Sequence, residues 1–522
     1  MNEDTTVPVL IVGGSLVGLS AAMFLLDLNI PVIVVEKHDG SMKHPRAIGY
    51  TLRTMEYFRL LKIVNKIPQT PDSFRLGRAK VESLAGKWQE VSYWSSNQEE
   101  ERSRYSPCNG ATIAQDNLEP MLRSRAMELG ADIRQNTEFL SYDEYDECIV
   151  VKMKDRLTGK YYQIKTKYLI AADGNRTVFR DLLDVKSKGC GFIKRTKSVL
   201  FKCSQADALL KDNVFQFEIK QENFQGFLTT YNDGRWVLFL DDKEYTTEML
   251  KECIENAIGI SGLEFEIITT GSWDLSATVC DYFSKGNIFL AGDAAHTLPP
   301  NRGGFGANTG ISDVYNLAWK LKCVLNGQSS SKLLDSYNSE RQPIAWLRHQ
   351  QIFARPDYAK YNSEIAKNEP VLDDIALELG ELVQSNAVIG DLGDSPLAIH
   401  PKDWAGRPGI RAPHTWVIKD GKEVSTIDLF YRDFKLLSQN IIWSQAVTFV
   451  NEKLRLDIDF IDVSTLKFLG NVTFEDLFSI RKPGAILIRP DGVVAWKTEE
   501  MQENIEETLL EVMRKILYFE SQ

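Results

Sequence analysis

The chain has 522 residues, of which 43% are hydrophobic and 25% charged, and its formal net charge is −11. These values are typical of an ordinary soluble protein that is large enough for two or three domains. The acidic balance disfavours a nucleic-acid partner, because no basic stripe offsets it.

The cysteine pattern argues against disulfide or metal chemistry. No C-x-x-C and no metal-ligand spacing occurs among the seven cysteines, so we expect reduced, mostly buried thiols, no metal site and a cytoplasmic protein. The nearly uncharged run from Val7 to Asp27 is long enough for a membrane span, but Gly13 and Gly14 interrupt it. The acidic start, MNEDTT, is unlike a signal peptide, so neither a membrane span nor a targeting segment is expected.

The first elements predict a dinucleotide-binding βαβ unit. A strand from Val7 to Val12 is followed by GGSLVG, a helix to about Leu28, and a second strand from Pro31 to Val35. The first and last glycines of the G-x-G-x-x-G pattern are present, and a small serine replaces the middle one. An acidic residue at the end of the second strand suits the ribose hydroxyls. The predicted cofactor-binding residues here are Gly13, Ser15, Leu16, Val17, Gly18, Glu36 and Lys37.

The middle of the chain alternates helix and strand before it becomes β-rich. HPRAIG at 44–49 precedes a polar excursion, 74–107, and the segment from Ala114 to Leu122 opens an amphipathic helix that runs to about Leu129. A hairpin (149–153 and 161–165) and a buried strand (168–172) lead to Asp173-Gly174. The pattern then predicts strands at 213–220, 224–231 and 235–240, with a hairpin turn at Asn232-Asp233-Gly234.

A strand–loop–helix segment follows at 286–325. Asn287 to Leu290 is an apolar strand, Gly292-Asp293 a turn, and Pro299 to Gly310 a glycine-rich loop that brings bare backbone close to a ligand. A helix is predicted from Ile311 to Leu325.

The last part of the chain predicts a separate unit. Helical chain continues to about Gln384, and GRPGIRAPH at 406–414 opens the new unit. It has strands at 415–418 and 440–449, a hairpin at 485–497, and a closing helix at 503–517.

Several motifs together resemble those of a known family. They are GDAAH at 292–296, the prolines 299 and 300, the glycine run, NLAWKL at 316–321, the PRA segment and the Asp173-Gly174 pair. The family is the single-component (class A) FAD-dependent aromatic hydroxylases, and most closely the branch that acts on aromatic polyketides and phenols. The resemblance implies an α/β fold with a Rossmann-like FAD-binding domain (1–73, 108–195 and 275–395). It also implies an inserted antiparallel β-sheet substrate domain (74–107 and 196–274) and a thioredoxin-like C-terminal domain without C-x-x-C (405–522).

The resemblance also implies site residues. Arg46 and Gln115 would contact the FAD phosphates or ribityl chain, Asp173 the FAD and the passing nicotinamide, and Asp293 the ribityl chain. The remaining residues expected at the cofactor are Gly292, Pro300, Gly304, Gly306, Ala307 and Asn308. The residues expected at the substrate are Phe227, Tyr231, Trp236 and Arg302, although Arg302 could equally face water. No catalytic residue is identified.

The implied reaction is an NAD(P)H-consuming monooxygenation. Non-covalent FAD, reduced by NADPH or NADH, would react with O2 to a C4a-hydroperoxyflavin that hydroxylates a phenolic or polycyclic substrate in secondary metabolism. An alternative in the same fold is Baeyer–Villiger oxygen insertion or oxidative decarboxylation. A halogenase is disfavoured because W-x-W-x-I-P is missing, and a non-catalytic flavin-binding regulator ranks last.

No second G-x-G-x-x-G follows a strand, so nicotinamide has no predicted domain of its own. The C-terminal unit is expected to serve packing or dimerisation, in a monomer or homodimer.

Overall fold

The computed structural model describes residues 5–42, 44, 46–71, 74, 76–93, 102–211, 213–300, 304–390, 393–403, 406–500 and 503–519. Arg302 lies outside these ranges. No helix within them is both long and apolar enough to cross a membrane.

The strands of the first half of the chain are Thr5–Val12 (β1), Val32–Val35 (β2), Gly49–Tyr50 (β3), Gly77–Val81 (β4), Trp88–Tyr93 (β5), Ala111–Thr112 (β6), Asp132–Arg134 (β7), Thr137–Glu144 (β8), Ile149–Asp155 (β9), Tyr161–Ala171 (β10), Ser187–Lys202 (β11), Val214–Lys220 (β12), Gln225–Thr230 (β13) and Arg235–Asp241 (β14). The later strands are Glu266–Cys280 (β15), Ser284–Lys285 (β16), Ile288–Leu290 (β17), His296–Thr297 (β18), Trp416–Lys419 (β19), Lys422–Ser425 (β20), Lys435–Ser438 (β21), Asp459–Asp462 (β22), Lys467–Phe468 (β23), Ala485–Ile488 (β24) and Val494–Thr498 (β25).

The helices are Leu16–Asp27 (α1), Leu52–Leu60 (α2), Gln115–Glu128 (α3), Phe179–Leu182 (α4), Ser204–Asp207 (α5), Thr247–Ile258 (α6), Phe305–Leu325 (α7), Asp335–Ala354 (α8), Ser363–Asn368 (α9), Asp374–Leu379 (α10), Trp443–Leu454 (α11), Phe474–Phe478 (α12) and Ile505–Ile516 (α13).

The first sheet has the order β16-β17-β10-β1-β2-β7, with β8 and β9 added as an antiparallel extension. Strands β17, β10, β1, β2 and β7 run parallel. Strands β2 and β17 are buried along their whole length, as is typical of parallel strands covered on both faces. Because parallel strands end at one edge, the turns after β1, β2, β10 and β17 come together there.

The second sheet has the order β18-β15-β11-β14-β13-β12-β4-β5 and is antiparallel except between β4 and β12. One face packs on α6 and contains Phe217, Leu228 and Leu238. The opposite face, called the inner face here, packs against Ile48, which precedes β3, and Ala114, which precedes α3. The mixed α/β architecture agrees with the fold class predicted from the sequence, whereas the individual domain boundaries stay predictions.

The C-terminal part contains a mixed sheet, β22-β21-β24-β25, and a three-stranded sheet, β20-β19-β23. The strand predicted at 440–449 is wrong, because this segment lies largely in helix α11. Its residues Trp443, Ala446, Val447 and Val450 are buried at helical spacing. The short apolar runs around them had suggested a strand.

Three other predicted elements change in extent. Helix α7 begins at Phe305 instead of Ile311, because Gly304 adopts a left-handed conformation (φ 60°) at its start and the glycine-rich sequence continues as helix. The strand predicted at 168–172 is the end of the longer β10, which continues out of the hairpin. The helical chain predicted up to Gln384 is interrupted after Ala354, and only the short α9 and α10 follow.

A buried charge cluster joins the C-terminal part to helices α7 and α8. The Arg489 guanidinium donates to both carboxylate oxygens of Glu340, at 2.7 and 3.0 Å. Lys320 Nζ donates to Glu340 at 2.9 Å, and Arg489 also pairs with Asp491 at 2.6 Å. Burial alone would raise the pKa of Glu340, but the Arg489 and Lys320 charges outweigh it and lower that pKa. Burial lowers the pKa of Lys320 to about 8, against the attraction of Glu340.

We expect Glu340→Ala to lower the free energy of unfolding by about 3–5 kcal/mol, because it leaves buried Arg489 and Lys320 without their shared carboxylate. Urea unfolding of the FAD-loaded protein measures this loss. Glu128→Ala is the matched control, since Glu128 forms an exposed pair with Lys66. Equal losses in the two variants would contradict a stabilising role for the cluster.

A second prediction concerns His414, whose Nδ1 lies 2.8 Å from Ser425 Oγ. Burial, together with the Arg411 charge, lowers the pKa of His414 from 6.5 to about 4. As the pH falls, the unfolded chain therefore protonates this imidazole before the folded chain does. The free energy of unfolding is undiminished above pH 6.5 and decreases as the pH falls towards 4. Between pH 7 and 5 we expect a loss of roughly 1–2 kcal/mol that His414→Gln removes.

The measurement is the urea midpoint of wild type and variant at both pH values, with exposed His38→Gln as the control. An unchanged pH dependence in His414→Gln would show that other groups cause the loss.

Candidate active site

The turn after β1 brings the backbone of three strands into contact. Gly13 has φ 111° and its N–H donates to the Val35 carbonyl at 2.8 Å. A Cβ there would lie 2.2 Å from the Ala172 carbonyl oxygen, and one on Gly18 would lie 1.8 Å from the Gly13 oxygen. Helix α1 then begins at Leu16 with no side-chain cap from Ser15. Its first N–H groups are suited to an anionic ligand.

Ser15 belongs to a polar network with helix α3. Its hydroxyl hydrogen-bonds Glu119, and Gln115 Nε2 donates to Ser15 Oγ at 3.0 Å and to Glu119 at 2.7 Å. Gln115 Oε1 accepts from the N–H groups of Arg46 and Ala47 at 3.4 and 3.2 Å. The amide thus links the start of α1 to the PRA segment. The flavin contact predicted for Gln115 stays a prediction, and Glu119 was missed.

The carboxylate of Glu36 is oriented by backbone. Its Oε2 accepts from Gly14 N–H at 2.8 Å, and its Oε1 accepts from His38 N–H at 2.9 Å. The neighbouring Lys37 carbonyl accepts from Arg156 at 2.6 Å. A carboxylate fixed in this way at the end of β2 can receive hydroxyl donors.

Two further aspartates lie at the same edge. Asp173 follows β10; its Oδ1 is buried without a partner, and burial raises the pKa of this carboxyl. Asp293 is more open, with a side chain 39% exposed and 3.9 Å from the Arg46 guanidinium. Arg180, which follows the Asp173-Gly174 pair in the chain, donates to the carbonyls of Asp293 and Ala294 at 2.5 and 2.9 Å. The arginine thereby fixes the turn that carries Asp293.

Asp313 on α7 is a fully buried carboxylate beneath that turn. It accepts from Gly292 N–H at 3.3 Å, from Arg341 at 2.9 Å, and lies 2.8 Å from His296 Nε2. Burial would raise the pKa of Asp313, but the His296 and Arg341 charges lower it. This residue was also missed, although an aspartate within the apolar helix ISDVYNLAW was a visible signal.

The start of α7 is fixed to strand β3 and helix α2 by Asn308. Its amide donates to the carbonyls of Gly304 and Gly49 at 2.7 and 3.1 Å. Its oxygen accepts from Thr51 N–H at 3.0 Å and Thr54 Oγ1 at 2.6 Å. Asn308 therefore orients the helix, and the flavin contact predicted for this residue stays a prediction.

Of the other residues predicted in this loop, Pro300 accepts a hydrogen bond on its carbonyl from Tyr358 at 2.7 Å. Ala307 is partly buried against the main core. Gly306 is half-buried within the first turn of α7.

A tight contact holds α7 against α1. A Cβ on Gly310 would lie 2.7 Å from Val17 Cγ2 and 2.8 Å from Gly292 Cα, and Gly292 itself has φ 59°. Gly292 and Gly310 are therefore needed for close packing. The sequence indicated Gly292 but did not separate Gly310 from the general glycine content of the loop.

The inner face of the second sheet carries a continuous row of rings. His44 and Trp273 lie 5.2 Å apart between ring centroids, Trp273 and Phe239 5.2 Å, and Phe239 and Phe227 6.2 Å. We call these four residues the aromatic row. The row starts two residues from Arg46, and Trp273, Phe239 and Phe227 are only partly buried. It therefore presents an aromatic surface beside the edge of the first sheet.

Two residues predicted at the substrate lie differently from Phe227. Tyr231 is 8% exposed and packs on the inner face with Ile48 and Ala114. Trp236 points to the opposite face, where its ring is fully buried in the α6 core and its Nε1 donates to Asp207 at 2.8 Å. Alternation along β14 puts Val237 and Phe239 on the inner face instead. This corrects the substrate contact predicted for Trp236.

The arrangement fits a bound FAD. The uncapped start of α1, the oriented Glu36 carboxylate and the unpartnered, buried Asp173 Oδ1 lie at the ends of adjacent parallel strands. They offer sites for a pyrophosphate and for hydroxyl groups, as in dinucleotide-binding folds. No group of three or more metal-ligating side chains occurs among the described residues.

Comparisons with known proteins agree with this fit. Residues 6–351 match the family model of an FAD binding domain, and residues 405–517 match that of the aromatic-ring hydroxylase C-terminal domain. A 4-methyl-5-nitrocatechol 5-monooxygenase from Burkholderia sp. is 34% identical, aligned over 98% of each chain. A tetracenomycin B2 monooxygenase-dioxygenase from Streptomyces olivaceus is 31% identical, also over 98% of each chain.

Among solved structures, aklavinone-11 hydroxylase in complex with FAD and aklavinone superposes with a TM-score of 0.88 at 29% identity, covering 99% of this chain and 100% of that one. The chain belongs to the FAD-dependent aromatic-ring hydroxylases. It is a flavoprotein monooxygenase that uses FAD, NAD(P)H and O2 on a small-molecule substrate, as its motifs predicted.

The contact at Gly310 gives a test. We expect Gly310→Ala to cost about 1–3 kcal/mol of stability through overpacking, and to weaken FAD binding because it displaces the Gly292 turn. Flavin fluorescence titration measures the affinity. Val17→Ala in the same chain should restore part of it, since Val17 Cγ2 is the nearest atom. Gly40→Ala, where the new methyl meets nothing within 4 Å, is the control. Unchanged FAD affinity in Gly310→Ala would contradict this role.

Proposed function

We propose that this enzyme hydroxylates a planar phenolic or polycyclic aromatic compound of secondary metabolism, with the reacting ring held between the flavin and the aromatic row. The observation that supports this proposal is the partly exposed aromatic row. It begins beside Arg46 and so adjoins the edge of the first sheet that fits FAD. The related enzymes named above act on a nitrocatechol and on tetracenomycin B2, and the solved structure holds aklavinone. Their shared chemistry, an oxygenated aromatic ring system, supports this substrate class.

We propose that FAD is held by three groups of residues. The N–H groups after Gly13, from Ser15 to Gly18, receive the pyrophosphate, assisted by the helix dipole. Glu36, with Lys37 beside it, takes the adenosine ribose hydroxyls. Arg46 and Asp293 contact the ribityl chain or phosphates, supported by their exposure and 3.9 Å separation.

In this proposal the residues near the flavin ring hold the cofactor in position and exclude water, and they do not transfer protons. The backbone of Pro300, the backbone from Gly304 to Ala307 and the Gly292 turn face the ring in this proposal, with Asn308 and Asp313 fixing the positions of the helix start and the turn from behind. Asp173, buried and with a raised pKa, accepts or shares a hydrogen bond with the cofactor. When bound, FAD supplies the redox and oxygen-activating chemistry, and the protein supplies position and a dry site.

The test is NADPH and NADH oxidation by the FAD-loaded enzyme across phenols and polycyclic aromatics, with hydrogen peroxide quantified. We expect one compound class to stimulate oxidation with little peroxide, and its product to carry one labelled oxygen from O2 as a ring hydroxyl. A lactone or ester product would instead identify oxygen insertion beside a ketone. Stimulation by no aromatic compound would overturn the proposal.

We further propose that the enzyme works in the cytoplasm, where NAD(P)H is available, as a monomer or homodimer. In either case the C-terminal part packs against the rest of the chain. Arg489 forms an ion pair with Glu340 on α8, and Arg411 forms one with Glu56 on α2.

A further inference from the structure

The aromatic row has a second end, remote from Arg46. There the Arg78 guanidinium lies over the Phe227 ring, 5.2 Å from its centroid. It continues the row, whose rings meet edge-to-face or tilted, by one cationic group. Beyond it no further ring of the row follows among the described residues of the sheet, so Arg78 marks where the aromatic surface stops.

Arg78 is held firmly in place. Its Nε and NH2 donate to Gln216 Oε1 at 3.1 and 2.9 Å, and its NH1 lies 3.3 Å from Glu218. NH1 also pairs with Asp357 at 3.1 Å, and both side chains of that pair are largely buried, at 13% and 16% exposure. A shielded ion pair fixed on several sides resists displacement by a ligand.

Asp357 comes from a different part of the molecule, the connector of residues 355–362 between α8 and α9. The next residue, Tyr358, donates its hydroxyl to the Pro300 carbonyl at 2.7 Å. The connector therefore touches the loop before α7 through one residue and the far end of the aromatic row through the other. The ion pair thus covers the end of the row remote from Arg46, and the connector ties that end to the loop before α7.

We propose that the Arg78–Asp357 ion pair is the end stop of the substrate site and sets the length of the fused-ring system that the enzyme accepts. The inference rests on the proposed function, because the row is taken as the substrate floor. Since Asp357 and Glu218 already neutralise Arg78, the pair limits length and does not select an anionic substrate. Planar ligands that end before Phe227 fit, and ligands that extend past it must break the pair.

The experiment measures ligand binding without NAD(P)H. Catechol, naphthol, alizarin and a hydroxynaphthacenequinone are titrated into the FAD-loaded enzyme, and dissociation constants are read by calorimetry and from the flavin absorbance. In wild type we expect affinity to rise with ring number and then to fall at the length limit. In Asp357→Asn the limit moves outward: the ligand that wild type rejects binds about tenfold more tightly, while catechol changes by less than about twofold.

Two further variants keep the test decisive. Arg78→Lys keeps the charge but loses the planar contact with Phe227 and the bonds to Gln216, so it should shift the limit in the same direction. Asp274→Asn is the matched control, because Asp274 pairs with Arg195 on the same sheet but follows Trp273 and so points to the opposite face. Its length profile should equal that of wild type.

The outcomes separate the two proposals. If Asp357→Asn and Arg78→Lys retain FAD but share the wild-type length profile, the end stop is refuted even where hydroxylation is observed. If the limit shifts as expected but no aromatic compound stimulates NADPH oxidation, the end stop stands as a ligand-length device and the hydroxylase proposal falls.

Discussion

The Gly292 turn and the start of α7, which we propose to face the flavin and call the flavin side, depend for their arrangement on one buried carboxylate. Asp313 lies within helix α7, yet its two oxygens serve Gly292, His296 and Arg341, which belong to three other elements. A buried charge is tolerated only where partners and hydrogen bonds replace water, so these elements have to meet in one geometry. The Gly292 turn, the Asp293 side chain and the Gly310 contact with Val17 all follow from that geometry.

Two further charge clusters extend the same principle to the C-terminal part. The RPDG sequence contributes Arg489 and Asp491, and the RAPH sequence contributes Arg411, which pairs with buried Glu56. Each cluster ends on a helix that also contacts the flavin side: α7 carries Asn316 and Lys320, and α2 carries Glu56 beside Thr54. A thiol-free C-terminal part thus affects the site by holding the helices behind it.

The sequence was most informative where a backbone requirement restricts the residue type. Gly13 and Gly18 tolerate no side chain, and their spacing after an apolar strand predicted the first βαβ unit correctly. The family motifs then predicted the fold and the activity. Trp236 is a residue for which the sequence was not sufficient. A strand pattern predicts that alternate residues share a face, but it does not show which of the two faces meets the substrate. Trp443 to Val450 shows that short apolar runs leave helix and strand unresolved. Contacts such as Arg78 with Asp357 join distant segments, and no local pattern encodes them.

The parallel pairing of β4 with β12 affects how this protein can be redesigned. The second sheet is built mainly from two separate stretches of chain, β4–β5 before helix α3 and β11–β15 after β10, and β18 adds a short edge strand after β16 and β17 of the first sheet. Its hydrogen-bonded order is therefore completed only when both stretches are present, and neither half is an autonomous unit. A single crossover between relatives that falls between β5 and β11 would pair the β4–β5 hairpin of one parent with strands β11–β15 of the other. Exchange of substrate preference by grafting thus calls for both stretches to move together.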